Sequence, residues 1–239
     1  IYEFTKYLLL GNGVCSDADQ VNESSGNFNQ RKAATNKLVY WGESHDTYCN
    51  DGGESKYISQ NNIDRAYAVV AGNNGATALY FSRPFEKAKS SIKVGVKGST
   101  HFKDREVAAV NHLHNICAGE PNYYVHENGV AAQCRKSGAV IVLGSGGNRE
   151  VSVTNGDGKG NWVKVGTYTD QVSGNTFTVT ASKISGKVGA KGIAVIYEGE
   201  PLPPTLPAPS NLPACATWQE GKTFCYFENS SSWAGPMYA

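Results

Sequence analysis

The chain has 239 residues, 40% of them hydrophobic and 18% charged, with a net charge of +1; this balance excludes a disordered chain and gives no reason to expect nucleic acid or an anionic membrane as partner. The length suits one large domain or two ordinary ones. No run approaches the ~18 consecutive apolar residues of a membrane-spanning helix, and the most apolar stretch near the start is Tyr7 to Leu10.

Residues 1–10 mix aromatic, aliphatic and polar groups at helix-like spacing, and Gly11 and Gly13 end the run. Neither an initiator Met nor a signal-peptide pattern is present, so a chain opening at Ile1 inside a helix is expected to lack its true N-terminus. Residues 16–36 are polar and read as a loop with room for a short helix. The apolar run Leu38-Val-Tyr-Trp41 predicts a strand closed by Gly42, and a Gly- and Asn-rich loop follows around Asn50 to Gly53. Ile63, Tyr67 and Val70, at i, i+4 and i+7, give one apolar helix face before a stop at Gly72. Ala76 to Phe81 predicts a second buried strand, stopped by Pro84. After a Lys- and Ser-rich loop, Val107, Val110, Leu113 and Cys117 line one face of a further helix, with Asp104 as N-cap and Gly119 just past its end. Helix, strand, helix, strand, helix is an order that predicts parallel strands joined by crossover helices.

From about residue 121 the pattern changes. Short β-rich runs at Val130 to Cys134, Ala139 to Leu143, Val151 to Val153, Trp162 to Val165, Thr176 to Thr180 and Ile193 to Tyr197 are separated by the turn signals Gly146-Gly147, Asn155-Gly156 and Ser173-Gly174. This predicts an antiparallel β-domain built as a small sandwich. Residues 199–213 are proline-dense and predict an extended spacer. Residues 214–239 are too few to bury a core alone, and read as the start of a further module.

The six cysteines, at 15, 49, 117, 134, 215 and 225, form no CxxC pair, which argues against zinc. Cys215 and Cys225 are a candidate disulfide in the tail; the other four are either paired or free, partly buried thiols. Asn22-Glu-Ser24 and Asn229-Ser-Ser231 fit the N-glycosylation pattern, which is too common to locate a protein.

The segment with most chemistry is Leu38-Val-Tyr-Trp-Gly-Glu-Ser-His-Asp-Thr-Tyr-Cys-Asn-Asp51. It leaves Glu43, His45 and Asp46 just beyond the C-terminal end of a strand, the rim where parallel barrels collect catalytic groups. An ionised Asp there can accept hydrogen bonds from sugar hydroxyls, bonds that help catalysis if they strengthen as the ring flattens toward an oxocarbenium-like state. An Asp that merely orders the turn fits the same spacing. Ser44-His45-Asp46 is a poor hydrolase triad, because adjacent residues point in different directions. Gly144-Ser-Gly-Gly-Asn-Arg149 lacks the last glycine of a dinucleotide loop and reads as a β-turn. His112 and His114, two apart on a helix, face different ways and read as packing or surface residues. Arg83-Pro84 either lines a cleft or simply ends its strand.

Leu38 to Asp51, with its Glu-Ser-His-Asp-Thr-Tyr core, resembles the fourth signature region of α-amylases of glycoside hydrolase family 13. Ala66-Tyr-Ala-Val-Val and Thr77-Ala-Leu-Tyr-Phe-Ser-Arg-Pro84 resemble the last barrel helix–strand step of the Bacillus-type enzymes. Glu106-Val-Ala-Ala-Val-Asn-His-Leu-His-Asn115 resembles the final barrel helix. Gly138-Ala-Val-Ile-Val, Tyr168-Thr-Asp-Gln-Val-Ser-Gly-Asn-Thr-Phe-Thr-Val179 and Gly192-Ile-Ala-Val-Ile-Tyr197 resemble the family's domain C. The likeness is collinear over about residues 1–198.

This resemblance implies an α/β plus all-β chain: the C-terminal part of a (β/α)8 TIM barrel over 1–120, a β-sandwich domain C over 121–198, a Pro-rich linker over 199–213, and the start of a starch-binding module over 214–239. By the same resemblance Asp46 matches the third catalytic carboxylate, the transition-state stabiliser, and His45 the neighbouring histidine that binds sugar where cleavage occurs. The family's nucleophile Asp and acid/base Glu follow earlier barrel strands, and no segment here matches either; Glu43 belongs to the same fourth region as Asp46. A complete barrel needs roughly 250 residues, whereas about 120 precede the β-domain. The implied reaction is retaining endo-hydrolysis of α-1,4-glucosidic bonds in starch or a related α-glucan by a secreted, extracellular enzyme, with this fragment inactive alone. No cofactor is identifiable in the chain; the family often binds structural calcium, but its usual ligands fall mostly elsewhere and no metal is assigned. Thr223-Phe-Cys-Tyr-Phe-Glu-Asn-Ser-Ser-Ser-Trp233 resembles the opening of family 26 starch-binding modules, which makes Tyr226 and Trp233 candidate sugar-stacking residues. The rival from another class is a non-catalytic carbohydrate-binding protein.

Overall fold

Val39–Trp41, a β-branched and aromatic triplet, forms strand β2 at the centre of a three-stranded parallel sheet between β1 (Tyr2–Glu3) and β3 (Thr77–Leu79). The computed structural model describes residues 2–3, 39–49, 55–73, 75, 77–202, 226–227 and 237–238. The chain divides into two units, residues 1–83 with 100–202, and residues 84–99 with 203–239.

In the first unit, Tyr2 pairs with Tyr40 and Glu3 with Trp41, so residues 2–3 are strand and not the opening of a helix. The sequence Tyr-Glu-Phe-Thr carries a period of two as readily as a helical stripe, and pairing with β2 decides between them. Residue 1 and residues 4–38 lie outside the described part. Strand β3 occupies the expected place but is not buried. It lies at the end of the sheet order, with Leu79 51% exposed.

Helix α1 (His45–Cys49) follows β2, and helix α2 (Gln60–Gly72) is the crossover to β3. Ser59 caps α2, its hydroxyl accepting from the Asn62 amide at 3.4 Å. The predicted apolar stripe understates its burial, since every residue from Ile63 to Gly72 is buried. One side of α2 packs on β2 and β3; others meet α3 (Arg105–Ile116) and the sandwich strands β5 (Val130–Arg135) and β6 (Gly138–Leu143). The helix fits because it is rich in small residues: a Cβ on Gly72 would lie 2.8 Å from Gln133 Cβ on β5. Asp104 is the N-cap residue of α3, but its carboxylate takes the His101 ring at 2.7 Å and caps no amide.

The β-rich half is a sandwich of two antiparallel sheets. One has the order β11 (Ile193–Tyr197), β6, β5, β4 (Asn122–Glu127), and the other β7 (Arg149–Thr154), β10 (Lys183–Val188), β9 (Thr176–Val179), β8 (Gly166–Thr169). Ile141, Leu143, Val153, Phe177, Ile184 and Ile196 fill the space between the sheets. On the outer face of the first sheet, Ala131, Val140, Val142, Ile193 and Val195 join α2 and α3 in a second core. Two covered faces explain why β6 and β11 are apolar throughout, whereas β9, with one face in solvent, alternates exposed Thr with buried Phe177 and Val179.

Trp162 to Val165, expected as a strand, is a loop. The Asn155 side chain occupies both backbone groups of Val163, its Oδ1 accepting from the amide and its Nδ2 donating to the carbonyl, each at 2.9 Å. With those groups taken, the strand starts at Gly166. Residues 144–148 are the β6–β7 connection, as their turn chemistry predicts. In the second unit, Tyr226–Phe227 and Met237–Tyr238 pair antiparallel as β12 and β13. Trp233, the candidate Cys215–Cys225 pair, Asn22, Asn229 and most of the proline-dense spacer lie outside the described residues. Cys49, Cys117 and Cys134 are free thiols. Burial pushes those of Cys117 and Cys134 up to about 12, which leaves them protonated near neutral pH.

Candidate active site

The end of β2 is set by a close approach: a Cβ on Gly42 would lie 3.2 Å from the Tyr67 amide of α2. From there the chain turns into α1 through a reciprocal cap. The Ser44 amide donates to Thr47 Oγ1 at 2.9 Å, and the Thr47 amide donates to Ser44 Oγ at 3.3 Å. This cap places His45 and Asp46 in the first turn, with Thr47 and Tyr48 buried behind them. The side chains of His45 and Asp46 are 78% and 62% exposed, and His45 Nε2 lies 3.4 Å from Asp46 Oδ1. Ser44 Oγ is engaged with Thr47, so the three neighbours do not form a nucleophilic triad.

Beneath this exposed pair lies a buried one. Arg83, just past β3, donates from Nε to Glu43 Oε2 and from Nη2 to Glu43 Oε1, each at 2.8 Å. This fork-on-carboxylate geometry is the strongest form of the ion pair. Ser55 Oγ donates to the same carboxylate. Arg83 also donates to the carbonyls of Ile58 at 2.8 Å and Ser55 at 2.9 Å, and its guanidinium lies 5.4 Å from the Tyr48 ring centre. One guanidinium therefore ties together the ends of two parallel strands, the buried side of α1 and the turn Ser55–Tyr57. Of the two readings of Arg83, its contacts favour the structural one. Glu43, with both oxygens occupied and its side chain 1% exposed, is a structural group.

A second buried carboxylate stands close by. Asp64 Oδ1 on α2 accepts from Tyr80 Oη at 2.7 Å and from Gln60 Nε2 at 3.0 Å. Burial raises the Asp64 carboxyl above its ordinary value, the Glu106 charge adds to the rise, and the two hydrogen bonds oppose it. Tyr80 is raised as well, by burial first and then by the neighbouring Asp64 charge. Its ring meets that of Tyr67 edge-on at 5.0 Å, and Tyr67 Oη donates to Asn111 Oδ1 at 2.6 Å.

Of the residues predicted from the sequence, Glu43 lies in the short link after β2 and His45 and Asp46 in the first turn of α1. The Asp64–Tyr80 pair and the pairing of Arg83 with Glu43 have no signal in the sequence, since no local pattern marks a contact across 16 or 40 residues. His112 and His114 are packing residues: the His112 ring lies 5.0 Å from that of Tyr197, and His114 Nδ1 is 2.7 Å from the Ala71 carbonyl. Among the described residues no group of three or more His, Cys, Asp or Glu side chains is placed to hold a metal ion.

No protein-family profile matches the chain. An α-amylase of Clostridium acetobutylicum is 30% identical over 165 residues, which is 68% of this chain and 20% of that protein. An α-amylase of Butyrivibrio fibrisolvens is 32% identical over 181 residues, 70% of this chain and 18% of that protein. The chain thus spans about a fifth of the length of these curated relatives. Among solved structures, wild-type α-amylase I from Eisenia fetida aligns with a TM-score of 0.56 at 15% identity, covering 82% of this chain and 47% of the other. In sequence over about two thirds of its length, and in fold, this chain is α-amylase-like.

Proposed function

We propose that the chain is the C-terminal part of a glycoside hydrolase family 13 α-amylase, and that Asp46 is its transition-state-stabilising carboxylate. The observation that carries this is the placement of His45 and Asp46, exposed at the C-terminal end of a parallel strand, within a chain whose sequence matches two α-amylases. In this reading β1–β3 and their helices close the (β/α)8 barrel, the sandwich is domain C, and the tail opens a family 26 starch-binding module. The enzyme is secreted and Bacillus-type, and cuts α-1,4-glucosidic bonds of starch internally with retention of configuration.

The nucleophile Asp and the acid Glu come from earlier barrel strands. Attack by the first on the anomeric carbon and proton donation by the second to the leaving oxygen produce an oxocarbenium-like transition state. Asp46 accepts hydrogen bonds from the ring hydroxyls, bonds that strengthen as charge develops, while His45 binds the same sugar. Glu43 and Arg83 take no part in the chemistry; they hold the loop.

The coding sequence upstream of Ile1 tests the reading: strands ending in the nucleophile Asp and the acid Glu are expected there. Their absence would favour a non-catalytic carbohydrate-binding protein. The 239-residue chain alone is expected to release no reducing sugar from soluble starch, because a lone stabilising carboxylate has no reaction to stabilise. Turnover above buffer that vanishes in Asp46→Asn would reveal a complete active site within the chain.

A further inference from the structure

Tyr57 is 71% exposed. A single aromatic side chain in solvent is ordinary on a protein surface. What distinguishes this one is how its backbone is held. Arg83 grips the carbonyls of Ser55 and Ile58, on either side of Lys56 and Tyr57, and Ser55 Oγ is held by Glu43. The turn Ser55–Tyr57 packs against α1, which carries His45 and Asp46. One buried ion pair therefore fixes both the exposed ring and the exposed His–Asp pair.

We propose that Tyr57 is an aromatic platform on which a glucosyl ring of an α-glucan stacks, one position along the chain from the sugar held by His45 and Asp46. The inference rests on the α-glucan reading and adds a subsite to it. A pyranose ring has an apolar face of C–H bonds and a rim of hydroxyls, so it suits a flat ring with polar groups at its edge. Tyr57 supplies the ring and its own hydroxyl; Lys56 Nζ lies over the ring, 5.4 Å from its centre, so the sugar stacks on the opposite face. Because the turn is clamped before any ligand arrives, binding has little backbone to order.

The test is titration of maltoheptaose into the full chain, followed by NMR, with Tyr226→Ala and Trp233→Ala present throughout so that the tail offers no second platform. Tyr57→Ala is expected to weaken binding about tenfold, while Tyr57→Phe, which keeps the ring, stays within about twofold. Both variants should keep the parent's Tm, since the side chain lies in solvent. Undiminished binding by Tyr57→Ala overturns the platform, and a loss in His45→Ala then shows that the α-glucan reading itself survives. Equal losses in Tyr57→Ala and Tyr57→Phe overturn stacking in favour of a hydroxyl contact. A parent chain that binds no maltoheptaose removes the α-glucan reading and the platform with it.

Discussion

The Glu43 carboxylate is deeply buried, and Arg83 meets both its oxygens, the kind of partner a buried charged group requires. Such a pair adds modest stability when compared with a packed apolar pair, but losing one member leaves a buried charge without its partner. Glu43→Ala or Arg83→Ala should therefore cost roughly 3–5 kcal/mol in denaturant unfolding, and a cost near zero would mean the pair is open to water. Asp64 makes the opposite case. Burial holds its carboxyl above the ordinary value, so between the ordinary and the raised value the folded state binds more protons than the unfolded one. Asp64 thus subtracts stability as pH rises through that window, and subtracts nothing below it. Asp64→Asn keeps an oxygen for Tyr80 and Gln60 while removing the charge. Its Tm should gain on the parent's as pH rises above the ordinary carboxylate range and through the raised value, and curves that stay parallel would show that Asp64 titrates normally.

At the scale of elements, strands are defined as much by what takes their backbone groups as by their side chains. Asn155 has all its polar capacity used, by Tyr123 Oη at 2.7 Å, both backbone groups of Val163, and the Thr180 carbonyl at 2.8 Å. Asn155→Ala removes these together and leaves buried groups unpaired, a loss of about 2–4 kcal/mol. Equilibrium unfolding measures it, and a loss below ~1 kcal/mol would mean that water replaces the amide. This contact also shows why the Trp162–Val165 run misleads. Its residues favour a strand, but a side chain seven residues or more upstream takes the ladder's place. Strands β6 and β11 were legible because two covered faces demand an unbroken apolar run. Strand β10 was not, since Gly186 reads as a turn residue. Its glycine serves the ring of Phe177, whose Cγ would lie 2.6 Å from a Cβ there. At the candidate site, the exposed His45 and Asp46 were legible through their motif, whereas the pair beneath them joins two distant strand ends and leaves no local trace.

Across the first unit, two cores share one sheet: the sandwich interior lies on one face of β5, β6 and β11, and helices α2 and α3 lie on the other. Helix α1, whose first turn bears Asp46, follows β2, which α2 joins to this double core, so the candidate site stands on a well-packed base. On the proposed reading that base is only part of an enzyme. The chain spans about a fifth of its curated α-amylase relatives, and a stabilising carboxylate acts only when a nucleophile and an acid face the same bond. On that reading Asp46 is tested in the proposed full-length α-amylase, by starch hydrolysis with and without Asp46→Asn. The exposed side chain predicts an unchanged Tm. Loss of charge at the transition state predicts a fall in kcat of about a thousandfold or more, equivalent to ~4 kcal/mol, with a smaller change in KM. A folded Asp46→Asn enzyme that keeps about a tenth of the parent kcat, under ~1.4 kcal/mol of barrier, would contradict the assignment of Asp46 to catalysis.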